Sequence, residues 1–131
     1  MSKKIRIGVL SFAHYHARFW SETFRDSPIA DFVGIWDEEE GRGREAADTY
    51  RTRYWPELTA LLDACDAVAI CSETVHHLRL VSEAAARECH ILCEKPLATT
   101  LADCDAIEAL VRQAGITFMQ SFPKRFDPIN H

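Results

Sequence analysis

Glycine is scarce in this chain, with five residues in 131, and none of them falls in the segment Ser11 to His16 that follows the first apolar run. Proline is equally sparse at five residues, and there is no repeat, low-complexity tract or Gly/Ser-rich linker. A fibrous or linker-dominated architecture is therefore excluded. Apolar runs are only a few residues long, against roughly 18 to 20 for a membrane helix. The start Met1-Ser2-Lys3-Lys4 passes directly into Ile5-Arg6-Ile7, so neither a signal peptide nor a membrane span is expected. Basic residues are outnumbered 15 to 20, giving a net charge of −5, and nucleic acid is not an expected partner. The cysteine count is five, an odd number, and Cys65, Cys71, Cys89, Cys93 and Cys104 lie mostly in apolar settings. Reduced thiols in a cytoplasmic protein are the expectation.

What is present is the composition of one globular domain, 47% hydrophobic and 27% charged. Short apolar runs alternate with longer amphipathic stretches. Ile5 to Leu10, Asp31 to Trp36, Ala67 to Cys71, His90 to Cys93 and Ile116 to Gln120 read as strands, rich in Val, Ile and Phe with little polar alternation. Strands of that kind belong in a parallel sheet covered on both faces. Leu78, Val81 and Ala85 recur at helical spacing between Thr74 and Cys89, as do Leu101, Cys104, Ile107 and Val111 between Thr100 and Ala114. Thr100 with Asp103 resembles a capping box, and Gly115 closes that helix. A further helix is expected from about Glu38 to Arg51, with a short strand at Tyr54-Trp55 and a helix starting near Pro56. The pattern predicts a three-layer α/β/α, doubly wound sheet of about six parallel strands, with the Ile5 strand between those starting at Asp31 and Ala67.

Ser11-Phe12-Ala13-His14-Tyr15-His16 lies where a dinucleotide-binding fold puts its phosphate-binding turn, between a strand and a helix N-terminus. Ser11, Ala13 and His16 occupy the three glycine places of G-x-G-x-x-G. A Cβ at Ala13 holds the backbone away from a pyrophosphate, while Ser11 and His14 can return hydrogen bonds. An ordinary strand-to-helix connection without a ligand is the alternative. Asp37 ends the second strand 26 residues after Ser11. A carboxylate there suits adenosine ribose hydroxyls and argues for NAD; NADP is less favoured because its 2′-phosphate would meet Asp37 and Glu38, Glu39 and Glu40, although Arg42 and Arg44 soften that field. Asp37 as a cap of the next helix is the plainer alternative. Gly41-Arg42-Gly43-Arg44-Glu45-Ala46 matches G-x-G-x-x-A nominally, but the three preceding glutamates would repel a pyrophosphate.

His14, His16, His76 and His77 invite a metal reading, yet no second His or Cys pair stands at a matching distance, and no metal is expected. Cys89, Ile91 and Cys93 share one strand face and read as core. Glu94-Lys95-Pro96 follows the fourth strand at the carboxyl edge, where open α/β sheets bind ligands. A lysine there can donate to a substrate oxygen, with the glutamate holding it in place. The alternative is a surface salt bridge ahead of a loop proline.

Taken together, IRIGVL and its turn, Asp37, Cys71-Ser72-Glu73-Thr74-Val75-His76-His77 in place of a T-P-N-x-x-H pattern, Glu94-Lys95-Pro96 as an E-K-P signature and Arg125-Phe126-Asp127-Pro128 as an R-F-x-P exit resemble the Gfo/Idh/MocA oxidoreductases. The resemblance spans essentially the whole chain. It implies a Rossmann-like cofactor domain over residues 1–122, with Ser11, Phe12, Ala13, His14 and His16 along the pyrophosphate and Asp37 on the ribose. It also implies that Ser72 and His77 flank the cofactor, with Glu94, Lys95 and Pro96 at its nicotinamide end, and that Lys95 is catalytic. Glu73 departs from the family's proline.

Residues 123–131 are expected to begin the exit toward a second, substrate-binding domain, which in this family supplies a catalytic histidine and carboxylate. The implied activity is hydride transfer between NAD and a sugar-like or polyol substrate, in a homo-oligomer, with this chain alone lacking the complete machinery. Two other readings stand beside it: a cofactor-binding or regulatory module without catalysis, and a domain for another adenosine cofactor.

Overall fold

The computed structural model describes residues 2–122. Five strands, β1 (Ile5–Leu10), β2 (Ala30–Trp36), β3 (Ala67–Ile70), β4 (His90–Glu94) and β5 (Phe118–Ser121), form one sheet in the order β2-β1-β3-β4-β5. Every pairing is parallel. The expected position of β1 between the second and third strands holds. The expected count of about six does not: among the described residues the Tyr54-Trp55 strand shrinks to one bridge, Ile35 to Tyr54. Arg53 and Trp55 still exchange backbone hydrogen bonds with Ile35, and the next helix begins three residues on, at Leu58.

Helices α1 (Ala17–Asp26), α2 (Glu40–Tyr50), α3 (Leu58–Asp63), α4 (His77–Ala86) and α5 (Leu101–Ala114) cover the two faces. Strand alternation divides the core. Val9, Ile35, Ala69 and Cys71 pack with Ala17, Phe24, Ala46 and Ala47 of α1 and α2. Leu10, Val68, Ile70, Ile91 and Cys93 pack with Leu61, Leu80, Val81 and Ile107 of α3, α4 and α5. This is the three-layer arrangement expected of near-continuously apolar strands.

Local signals account for the ends. The Thr100 hydroxyl accepts from the Asp103 N–H at 3.1 Å, and Gly115 closes α5 in the left-handed region at φ +66°. The register of β1 against β2 slips between Ile7 and Gly8, opposite Val33-Gly34. At Gly34 an added Cβ would lie 2.4 Å from the Arg53 carbonyl oxygen, so the bulge requires glycine. The fourth helical stretch begins with a 3-10 turn at Thr74–His76 before α4. All five strands run the same way, so β1, β2 and β4 deliver their following loops to one edge.

Candidate functional site

At that edge Ser11 takes a positive φ of 77°, the conformation for which the first glycine of a dinucleotide turn is used. Serine bears this strain while buried, and its hydroxyl accepts from the Ala13 N–H at 3.1 Å. His14 Nδ1 likewise accepts from the His16 N–H at 3.1 Å, and the His14 N–H donates to the Cys71 carbonyl at 2.9 Å. Side chains and the end of β3 therefore hold a turn that glycines would otherwise permit. Desolvation lowers the His14 imidazole below its ordinary range. Helix α1 starts with no side-chain cap and no acidic residue in its first turn; its Ala17 and Arg18 N–H groups donate to the His14 and Tyr15 carbonyls at 3.1 and 3.3 Å.

Asp37 is buried, and four donors surround its carboxylate. The Phe12 N–H and Arg42 Nε reach Oδ2 at 2.8 and 2.9 Å; the Glu39 N–H and Arg42 Nη2 reach Oδ1 at 3.0 and 2.7 Å. A carboxylate offers about four lone-pair positions, so Asp37 has none left for a ribose hydroxyl while Arg42 stays in place. Arg42 was expected only to soften the local field. Its pairing depends on Gly43, where a Cβ would press to 2.9 Å from the Asp37 Cβ and 2.7 Å from the Tyr54 ring. The nominal G-x-G-x-x-A string is thus a packing feature that seats α2 against the end of β2. Arg42 Nη1 lies 3.7 Å from Glu39 and Nη2 3.6 Å from Glu73. These carboxylates raise the guanidinium pKa, Asp37 foremost.

At the end of β4, Glu94 and Lys95 part company. Glu94 is buried, with Oε1 accepting from Trp20 Nε1 at 2.8 Å and Oε2 lying 3.2 Å from His16 Nδ1. Lys95 and Pro96 are exposed, and their peptide bond is cis. Strand alternation is the reason: consecutive side chains point oppositely, so Glu94 does not hold Lys95 as the sequence suggested. His14, His16 and Glu94 each bring a possible ligand atom within 4.8 Å of the others, a grouping invisible in His and Cys spacing. Both Glu94 oxygens and one nitrogen of each ring are already engaged: His14 Nδ1 accepts from the His16 backbone N–H, His16 Nδ1 faces Glu94, and Glu94 accepts from Trp20. Trp20 stands one turn after His16 on α1, a spacing that could have marked it.

Ser72 and His77 face inward. The Ser72 hydroxyl donates to the Glu73 carbonyl at 3.0 Å. His77, buried on α4, has Nδ1 3.0 Å from the Leu97 carbonyl and Nε2 3.3 Å from that of Ser72, strapping the loop after β3 to the loop after β4. The R-F-x-P motif at Arg125 to Pro128 lies outside the described residues.

The edge thus gathers the β1 turn, the β2-terminal carboxylate and the β4-terminal lysine, on a parallel sheet, as a dinucleotide enzyme does. Residues 5–122 match the family model GFO_IDH_MocA, described as an oxidoreductase family with an NAD-binding Rossmann fold. The chain belongs to this family. It is 33% identical over 133 residues to an inositol 2-dehydrogenase of Acidothermus cellulolyticus, covering 96% of this chain and 38% of that protein. It is 30% identical over 134 residues to a scyllo-inositol 2-dehydrogenase (NAD(+)) of Bacillus subtilis, covering 98% and 38%. The solved UDP-N-acetylglucosamine 3-dehydrogenase of Acidithiobacillus ferrooxidans superposes with a TM-score of 0.89 at 28% identity, covering 98% of this chain and 42% of that one. This Gfo/Idh/MocA domain therefore spans about two fifths of the length of these relatives. No helix among its described residues is long and apolar enough to cross a membrane.

Proposed function

We propose that the chain binds the nicotinamide dinucleotide of an oxidoreductase that moves hydride between that cofactor and a secondary hydroxyl of a sugar-like or polyol substrate. The observation that carries this is the convergence at one sheet edge of the uncapped α1 N-terminus, the β1 turn and the exposed Lys95. The α1 terminus and the loop Ser11 to His16 suit the pyrophosphate, and Lys95 suits the reacting oxygen, which it would polarise by donating from its ammonium. The cofactor, when bound, supplies the hydride chemistry; the protein supplies position and charge. At the adenosine end, Arg42 offers the donors and Asp37 holds it.

NAD is favoured over NADP. Arg42 is already neutralised by Asp37 and lies close to Glu39 and Glu73, so a 2′-phosphate would enter a field of net negative charge. The domain's share of its relatives' length leaves room for further substrate contacts elsewhere in the parent protein. Tyr15 and Phe19, exposed beside the edge, support coverage or self-association there, in line with a homo-oligomer.

The test is an NADH titration by fluorescence, followed by turnover of the intact protein with NAD and each of myo-inositol, scyllo-inositol and UDP-N-acetylglucosamine. Micromolar NADH binding with reduction of NAD by one of these alcohols is the expected result. Absence of NADH binding would overturn the proposal in favour of a module whose phosphate turn has lost its ligand.

A further inference from the structure

Glu94 is a buried carboxylate with no lysine or arginine ion pair among the described residues, and the groups that face it are Trp20 Nε1 at 2.8 Å and His16 Nδ1 at 3.2 Å. A buried anion is costly unless positive charge comes near it, and neither an indole nor a neutral imidazole brings any. Two histidine rings stand beside it. The His14 and His16 rings lie 4.6 Å apart between centroids, and one ligand atom from each ring and one from Glu94 fall within 4.8 Å of one another. Two imidazoles and a carboxylate are a zinc ligand set, with the fourth tetrahedral position left to water. At zinc bond lengths of about 2.1 Å, tetrahedral ligands stand roughly 3.4 Å apart. His16 Nδ1 and Glu94 Oε2 already stand at 3.2 Å. Trp20 fixes the other carboxylate oxygen, as the outer partner of a ligating carboxylate does. His16 also borders a recess of about 290 Å³ with Phe19, Trp20 and Ser121, which gives a hydrated ion a way in.

We propose that His14, His16 and Glu94 form a zinc site that competes with the dinucleotide. The competition rests on the preceding reading, which lays the pyrophosphate along Ser11 to His16; the zinc site itself rests only on the three side chains. A carboxylate only accepts, so His16 Nδ1 carries the proton that points at Glu94. As zinc binds, that proton moves to Nε2, the ring stays neutral, and Nδ1 and Glu94 Oε2 each donate a lone pair to the ion. His14 has to close in on the other two atoms, from a spacing of up to 4.8 Å to roughly 3.4 Å. Its Nδ1 accepts from the His16 backbone N–H and its own N–H donates to the Cys71 carbonyl, so the movement pulls on the turn at both points. The turn that zinc holds is then not the turn that the pyrophosphate meets.

The experiment titrates zinc chloride into the intact, tag-free protein by calorimetry, records the zinc X-ray absorption spectrum of the product, and repeats the NADH fluorescence titration with and without zinc. One equivalent is expected to bind at micromolar concentration, with nitrogen and oxygen neighbours at about 2.0 to 2.1 Å and no sulfur. Saturating zinc should weaken NADH binding by about tenfold or more, and EDTA should restore it. His14→Gln and Glu94→Gln, each checked for fold by circular dichroism, should weaken zinc binding by about tenfold or more, and zinc should no longer move their NADH dissociation constants. His14 is only partly buried, so His14→Gln keeps the test open should Glu94→Gln unfold.

No zinc bound at micromolar concentration, sulfur among the neighbours of the zinc, or full zinc affinity kept in both variants would each overturn the site. Zinc that leaves NADH binding unchanged, or tightens it, would overturn the competition. Failure of the wild type to bind NADH without zinc overturns the preceding reading and the competition with it, and the calorimetry and absorption spectrum then decide the site alone.

Discussion

Arg42 grips Asp37 through two nitrogens, Nε to Oδ2 at 2.9 Å and Nη2 to Oδ1 at 2.7 Å, and so fills the carboxylate positions that a ribose would otherwise use. Wild type is expected to bind NAD more tightly than NADP. Asp37→Ala should free Arg42 for a 2′-phosphate and move the affinity ratio toward NADP by about tenfold, roughly the effect of one nearby charge. The same variant should lose roughly 2 kcal/mol of stability, below the full cost of stranding a buried charge because Arg42 keeps partial exposure. Dissociation constants for both cofactors decide the matter: wild type binding NADP at least as tightly as NAD would remove the pair from cofactor selection.

Lys95 stands exposed beyond β4, unattached to its neighbour Glu94. A group that acts on charge developing in the transition state contributes little to cofactor affinity. Lys95→Ala should cut turnover about a hundredfold or more in the intact protein and leave NADH binding within a few-fold. Equal losses in both measurements would make Lys95 a cofactor anchor instead.

Arg6 meets Asp66 across β1 and β3, with Nη2 to Oδ1 at 2.8 Å and the Arg6 N–H to Oδ2 at 2.9 Å. Hydrogen bonds from Arg6 lower the Asp66 carboxyl to about 2. An ordinary aspartate titrates near 3.9, so the folded state holds the charged form more strongly than the unfolded chain. The contribution is present above about pH 4 and is lost as pH falls from there toward 2. Urea unfolding of wild type and Arg6→Gln should show the largest gap at neutral pH and a closing gap below pH 4; a gap constant down to pH 2 would count against the pair.

Burial pushes the thiols of Cys65 and Cys93 up to about 12 and raises those of Cys71 and Cys89. Thiolate is the reactive form, so these four should resist a disulfide reagent at pH 8 in the native protein. Cys104, half-buried on α5, is the expected site of fast reaction. One rapid equivalent followed by four on denaturation is the outcome to look for, and two or more rapid equivalents would contradict the packing described.

Local chemistry reaches far into this protein. Apolar runs with few polar interruptions mark all five strands, because a sheet covered on both faces favours apolar side chains on either side. Thr100 and Gly115 announce the ends of α5 through groups that bond within a single turn. Asp37 and Glu94-Lys95-Pro96 are placed at the carboxyl edge simply by following strands whose direction the parallel pattern dictates. These are short-range consequences of residue type and period, so the sequence by itself determines them.

What Asp37, Glu94 and His16 do there is decided only by the tertiary structure. Glu94 and His16 are 78 residues apart and meet because the order β1-β3-β4 brings the start of α1 over the end of β4. Arg42 reaches Asp37 because Gly43 lets α2 settle against β2. A carboxylate's partner depends on which donors arrive within about 3 Å, and those distances arise from packing between elements that residue spacing along the chain does not encode.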